Sequence, residues 1–333
     1  MKYFMGIETS CDETSVAILD NANNVLSNVT FSQVNIHKDF GGVVPEIASK
    51  NHLEKIIPVT NQSLEIANKT IQDIDTICVT NGPGLQSCLM IGVATAKTLS
   101  LVSTAKVLPV NHLEGHIASC FIENKIEFPA ISLVVSGGHT NIYHLEDQTN
   151  FNLISSTLDD AAGEAFDKGA KLLGLGYPGG IEIDRISKLG DRCFYPFPIA
   201  KLGDSLDFSF SGLKTSLKHY LDKNIDWEGN INDIASSYQE AIVQSLVHNI
   251  AKAVREFNIK TILVCGGVAC NSRLRDVVQE ILSKYKIVFP SNEYCTDNGA
   301  MIAMRGIQKI AANKAEFSLD FPVFSTTRRK KKS

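Results

Sequence analysis

His112 and His116 stand four residues apart in the run HLEGH, and on a helix that interval puts both imidazoles on one face, about one turn apart. Two imidazoles so placed can share one metal ion, although two ordinary surface histidines have the same spacing, and the pair alone leaves both readings open. A zinc protease of the His-Glu-x-x-His type needs its general-base glutamate directly after the first histidine. Leu113 holds that place here, and Glu114 comes one residue later, about 100° further round the helix and off the metal face. A protease mechanism is disfavoured on geometry. Ser136-Gly137-Gly138 between two β-rich runs offers backbone N–H groups and a hydroxyl to an anion, or is simply a hairpin turn. Gly266-Gly267 with Asn271 opening a helical pattern fits a pocket for adenine and ribose, though paired glycines before a helix are common. Asp12 and Glu13 are adjacent acids in a loop, unfavourable near a phosphate unless they orient a metal, a water or an amine. No Ser–His–Asp pattern is present to supply a covalent intermediate.

Two recurring units must position these residues. A β-rich run, a tight small-residue loop and a returning run occur as YFMGIETS–CDE–TSVAILD and again as AISLVVS–GGH–TNIYHLED. A strand, a Gly-rich loop and a helix occur as TICVT–NGPG–LQSCLMIGVATAKTLSLV and again as TILVC–GGV–ACNSRLRDVVQEILSKY. The repetition predicts an α/β protein of two related lobes. Residues 1–111 plus 299–333 are expected in the first lobe and 112–298 in the second, with a helical, Gly- and Pro-rich insertion at about 155–225. A helix over 299–312 is expected to return the chain to the first lobe. With no low-complexity linker between them, the lobes are expected to form a ligand-binding cleft.

The chain has 333 residues, 44% hydrophobic and 20% charged, which is ordinary for a globular protein and long enough for two domains. No run reaches the ~18 apolar residues of a membrane span. The N-terminus shows no signal-peptide pattern, and the eight scattered cysteines form no CxxC pair, so reduced thiols in a cytoplasm are expected. Net charge is −4, and −9 without the five cations from Arg328 to Lys332. Such a body has no general grip on a phosphate backbone. Nucleic acid would have to be held by a local patch, a partner or this basic tail, which also reads as a solvated end.

Five segments in order, GIETSCDET, HLEGH, LVVSGGHT, FDKGAKLLGLGYPGG and CTDNGAMIA, carry a resemblance that runs from end to end of the chain. The paired hairpins and Gly loops resemble the actin/Hsp70/sugar-kinase fold, a pair of duplicated ribonuclease-H-like domains. The five segments within it resemble the tRNA adenosine threonylcarbamoyltransferases, bacterial type, once described as glycoproteases. The resemblance implies transfer of threonylcarbamoyl from threonylcarbamoyl-AMP to N6 of the adenosine beside the anticodon, in tRNAs reading codons that begin with A. A small-molecule kinase of the same fold is the rival reading. The resemblance to the transferases also implies Asp297 as a third metal ligand with His112 and His116, holding Fe2+ or, alternatively, Zn2+. Val134, Val135, Ser136, Gly137 and Gly138 are implied for the adenylate, and Asp167, Gly180, Asp184 and Asn271 for its nucleoside. Asp12 and Glu13 are implied near the attacking amine. Archaeal and eukaryotic members carry a tyrosine before VSGG; Val134 stands there, so a phenolate ligand is missing. Bacterial members imply partners: an inactive homologue of the same fold and a P-loop ATPase.

Overall fold

The structure, a computed structural model, describes residues 1–326; the basic tail lies outside the described residues. The chain begins with β1 (Tyr3–Glu8), β2 (Glu13–Asp20), β3 (Val25–Ser32), a short α1 (Val34–His37) and the long α2 (Pro45–Ile66). Pro45 sits in the first turn of α2, where its missing N–H costs no helical hydrogen bond. Then come β4 (Thr76–Gly82), α3 (Gln86–Leu101), β5 (Lys106–Asn111) and α4 (His112–Ser119). The five strands lie in the order β3-β2-β1-β4-β5, the first three antiparallel and the last two added in parallel.

The pattern then repeats. β6 (Ala130–Val135), β7 (Thr140–Leu145) and β8 (Phe151–Ser156) form an antiparallel meander. The expected insertion supplies α5 (Ala162–Leu172), α6 (Gly179–Ser187) and α7 (Ser211–Lys223), followed by α8 (Ile231–Glu256). β9 (Thr261–Cys265), α9 (Ser272–Ile281) and β10 (Lys286–Val288) complete the second sheet, with β9 and β10 parallel to β6. Its order, β10-β9-β6-β7-β8, is that of the first sheet read from the other edge. The recurrence seen in the sequence is therefore a duplication of topology.

α10 (Asn292–Cys295) and α11 (Gly299–Ala311) return to the first sheet. Two compact units result: Met1–Lys125 with the chain from Pro290 on, and Ile126–Phe289. Residues 112–125 and 290–298, which the sequence left with the second lobe, thus pack in the first unit. The reason is apolar. Ala118 of α4 and Tyr294 of α10 share a buried cluster with Phe4 and Leu19 of the first sheet and with Ala303 and Met304 of α11.

β1 is covered on both faces, which explains why it reads as a continuous apolar run rather than an alternating one. Met5 and Ile7 pack with Ile56 and Val59 of α2 on one side, and Phe4 packs with Ala300 and Ala303 of α11 on the other. α11 lies so close to the sheet that a Cβ on Gly6 would collide with the Gly299 carbonyl oxygen and fall 2.7 Å from the Ala303 nitrogen. Among the described residues no helix is long and apolar enough to cross a membrane. None of the eight cysteines is in a disulfide.

Since the obstruction at Gly6 is backbone, it cannot move aside cheaply. Gly6→Ala is expected to cost about 3 kcal/mol. Urea denaturation should show the midpoint falling at an unchanged slope.

Candidate functional site

Asn111 ends β5 and caps α4, its Oδ1 accepting from the backbone N–H groups of Leu113 and Glu114. The helix it starts presents His112 and His116 side by side, their rings 4.6 Å apart and at 75° to each other. Asp297 arrives from the other end of the chain, in the turn before α11. There Asn298 caps the helix by accepting from Met301 N and steadies the turn by donating to Thr296 O. Asp297 Oδ1 lies 3.1 Å from His116 Nε2 and 3.7 Å from His112 Nε2. Ligand atoms about 2.1 Å from one ion stand roughly 3.0–3.4 Å apart; the His116 edge, at 3.1 Å, falls within that range and the His112 edge, at 3.7 Å, lies a little above it. One donor atom from each of the three lies within 4.8 Å of the other two.

The donor set fits a cation on independent grounds. His116 is fully buried, yet neither ring nitrogen makes a hydrogen bond, although Nε2 is close to Asp297. A buried imidazole left in that state costs free energy unless something else occupies its lone pair. At His112 the other ring nitrogen is already committed: Nδ1 donates to Glu8 Oε2 at 3.1 Å, with Ser10 Oγ 3.2 Å away. That contact fixes the tautomer, leaving Nε2 as the lone-pair nitrogen. Glu8 is itself held by Thr80 Oγ1 at 2.6 Å and by the Ser10 backbone N–H at 2.5 Å. Burial pulls His112 down, but the carboxylates of Asp297 and Glu8 outweigh it and push its pKa up to about 9. The carboxylates that favour a proton on this imidazole would equally favour a divalent cation in its place. Glu8 and its two partners were not singled out from the sequence. The available signal was an acid closing an apolar strand, which in a buried strand demands a partner.

Glu114 takes no part in this group. Its carboxylate faces α11, where it accepts from Arg305 Nε at 2.8 Å and pairs with Lys309 Nζ at 3.2 Å. Burial raises its pKa, but the two cations hold it below the ordinary glutamate range. The expectation that it points off the metal face agrees with this contact. Asp12 lies in the β1–β2 loop and Glu13 opens β2. Burial first, then Asp12 and Asp297, drive the Glu13 carboxyl well above its usual range, so the loop acids and the Asp297 group share one electrostatic neighbourhood. His52 of α2 steadies this loop through Thr14 Oγ1 at 2.8 Å and the Cys11 carbonyl at 2.9 Å.

The remaining predicted residues lie in the second unit. Val134 and Val135 are buried in β6, and Ser136, Gly137 and Gly138 form the tip that turns into β7, closed by Ser136 N–H to His139 O. The Gly266 turn comes close beside this tip. Its φ is +93°, and a Cβ there would strike the Val135 carbonyl oxygen, so only glycine satisfies both demands. Around Gly137, Gly138 and Gly267 a Cβ would meet nothing within 4 Å, so the two loops leave open space along the backbone. Asp167 of α5 accepts from the Gly179 N–H at 2.7 Å, which sets the start of α6 and Gly180 with it. Asp184 and Asn271 converge at the start of α9. Asp184 accepts from Ser272 Oγ at 2.8 Å, with Lys188 3.8 Å away. Asn271 caps the helix through Leu274 N and donates to Gln239 at 2.7 Å. Both side chains thus carry local structural bonds of their own.

The sequence profile of the tRNA N6-adenosine threonylcarbamoyltransferases matches residues 24–304. A Dictyoglomus turgidum protein of that name is 51% identical over 308 residues, which is 91% of this chain and 92% of that protein. One from Syntrophus aciditrophicus is 48% identical over 317 residues, 94% of each. Among solved structures, component A of the Acidaminococcus fermentans (R)-2-hydroxyglutaryl-CoA dehydratase matches with a TM-score of 0.56. That match covers 94% of this chain and 100% of the other at 18% identity, and bears on the fold alone. With the repeated sheet order it establishes the two-lobed actin/Hsp70/sugar-kinase-like α/β fold.

Glu8→Gln keeps the shape of the side chain and removes its charge. It is expected to weaken Zn2+ binding by roughly 10–100-fold. Competition titration with a chromogenic chelator measures this.

Proposed function

The chain belongs to the tRNA N6-adenosine threonylcarbamoyltransferase family, and from that premise we propose that it is the acyltransferase that forms t6A. It moves threonylcarbamoyl from threonylcarbamoyl-AMP to N6 of the adenosine beside the anticodon, in tRNAs reading codons that begin with A, and releases AMP. The observation that carries this reading is the 51% identity to a relative of that name across 91% of the chain. Neither a kinase nor a protease of this fold is favoured. Glu114, which a protease would need beside the histidines, is bonded to α11.

The chemistry assigns work to particular residues. The donor is a mixed anhydride. N6 attacks its carbonyl carbon, the bond to the phosphate oxygen breaks, and the amine loses a proton. N6 is a poor nucleophile because its lone pair is delocalised into the ring, so orientation and charge stabilisation must supply the rate. Asp12 and Glu13 orient the amine and take up its proton. Ser136, Gly137 and Gly138 offer N–H and hydroxyl donors to the adenylate phosphate, and Val134 and Val135 form the strand that presents them. Asp167 and Asp184 set the backbone that meets the nucleoside, and Gly180 and Asn271 line it. His112, His116 and Asp297 are the residues to hold a divalent ion, Fe2+ in preference to Zn2+. When bound, it would supply Lewis-acid polarisation of the carbonyl and neutralise charge on the leaving phosphate. An adenosine in a single-stranded anticodon loop is presented without melting a helix.

The reading puts the chain in the cytoplasm, in a complex with an inactive homologue of its own fold and a P-loop ATPase. Leu53 and Ile57, one turn apart on α2, and Met90 on α3 are 68%, 50% and 56% exposed, apolar surface suited to the homologue.

Depleting the protein should remove t6A from bulk tRNA, read by nucleoside mass spectrometry; unchanged t6A would end the proposal. In the reconstituted complex, His112→Ala with Asp297→Ala is expected to lose the bound ion and reduce transfer to background. Full activity in that variant would refute the assignment of these residues. Leu53→Lys should abolish co-elution with the homologous partner while leaving the metal content of the chain unchanged.

A further inference from the structure

Glu114 sits two residues from each histidine, so its side chain leaves α4 roughly 160–200° round the helix from the imidazoles. On that far side it meets Arg305, which is 1% exposed. Arg305 Nε donates to Glu114 Oε2 at 2.8 Å while its Nη1 donates to Gln308 Oε1 at 3.2 Å, and Lys309 closes on the same glutamate oxygen at 3.2 Å. We propose that the Glu114–Arg305 pair is a positioning clamp. It fixes the rotation of α4 about its own axis, and so sets where His112 and His116 stand against Asp297. The proposal rests on the reading that these three hold a metal ion.

The clamp works by leverage. α4 has 8 residues, little more than two turns, and carries two of the three donor side chains. The third donor precedes α11 by two residues, and the Asn298 cap ties it to that helix. The site is therefore as well formed as the register between α4 and α11. A helix with its side chains is about 10–12 Å across, so 10° of rotation moves an atom on its rim by about 1 Å. Metal–ligand distances tolerate about 0.2 Å, which limits rotation to a few degrees. The apolar contacts between the helices, such as Ile302 against Gly115, are not directional enough to set so fine an angle. A guanidinium–carboxylate pair is directional. Its place opposite the imidazoles makes every degree of slip there a degree of slip at the site. A buried ion pair is also a poor source of net stability compared with apolar packing, so a role in geometry accounts better for its presence in a helix interface.

The experiment uses the full chain with Zn2+ and Co2+ as probes, and compares Arg305→Met, Arg305→Lys and the double variant Glu114→Gln/Arg305→Met with wild type. The double variant leaves no unpaired carboxylate and should melt within a few degrees of wild type. Its Zn2+ affinity should fall about tenfold or more, and the visible absorption of its Co2+ form should shift because the ligand geometry has changed. Arg305→Lys keeps the charge but loses the fork, and should recover part of the affinity that Arg305→Met loses. Wild-type Zn2+ affinity and a wild-type Co2+ spectrum in the double variant would overturn the clamp while leaving the metal reading intact. Should that variant not fold, the same wild-type values in Arg305→Lys would overturn it. A wild-type chain that takes up neither ion would overturn the metal reading and the clamp together.

Discussion

The contact on which the rest of the first unit depends is the lie of α11 across β1 and α4. Asp297 and the two histidines come from opposite ends of the sequence and meet because α11 has a glycine-lined seat on the sheet and buries Ala300, Ala303 and Met304 there. The placement of the candidate ligands is therefore a by-product of core packing. The hydrophobic term supplies the energy, and the polar caps at Asn111 and Asn298 supply the precision.

That packing gathers several acids into one small region. Glu8 is fully buried, Asp12 nearly so, and Glu13 and Asp297 partly. Bringing carboxylates out of water costs several kcal/mol each unless they are paired, and the imidazoles are the counter-groups nearest Glu8 and Asp297. Burial acts oppositely on the two groups, raising Glu13 and lowering His112, but neighbouring carboxylates push both upward, as expected of a site that attracts positive charge. A divalent ion would occupy a lone pair of His116 and offset the charge of Asp297 at once.

The second unit follows a different logic. Its candidate side chains are largely engaged in holding the backbone: Asp167 the start of α6, Asn271 and Asp184 the start of α9. What remains open is main chain, at the β6–β7 tip and the Gly266–Gly267 turn. A phosphate ligand suits such an arrangement, because backbone N–H groups donate without a side chain that must be ordered first.

The sequence by itself determined the duplication, the helices and loops of the insertion and the one-face spacing of His112 and His116, because these are local patterns of period, turn residues and helix angle. It also excluded Glu114 from the metal face, since an angle along one helix needs no partner. Only the tertiary structure decided that Asp297 lies against those histidines, that Glu8 orients one of them and that Glu114 belongs to Arg305. It also decided that residues 112–125 and 290–298 pack with the first sheet. Each of these is a pairing across a long stretch of chain. Spacing carries no information about such pairs; burial creates them, because a charge or imidazole taken out of water must find whatever the fold sets beside it.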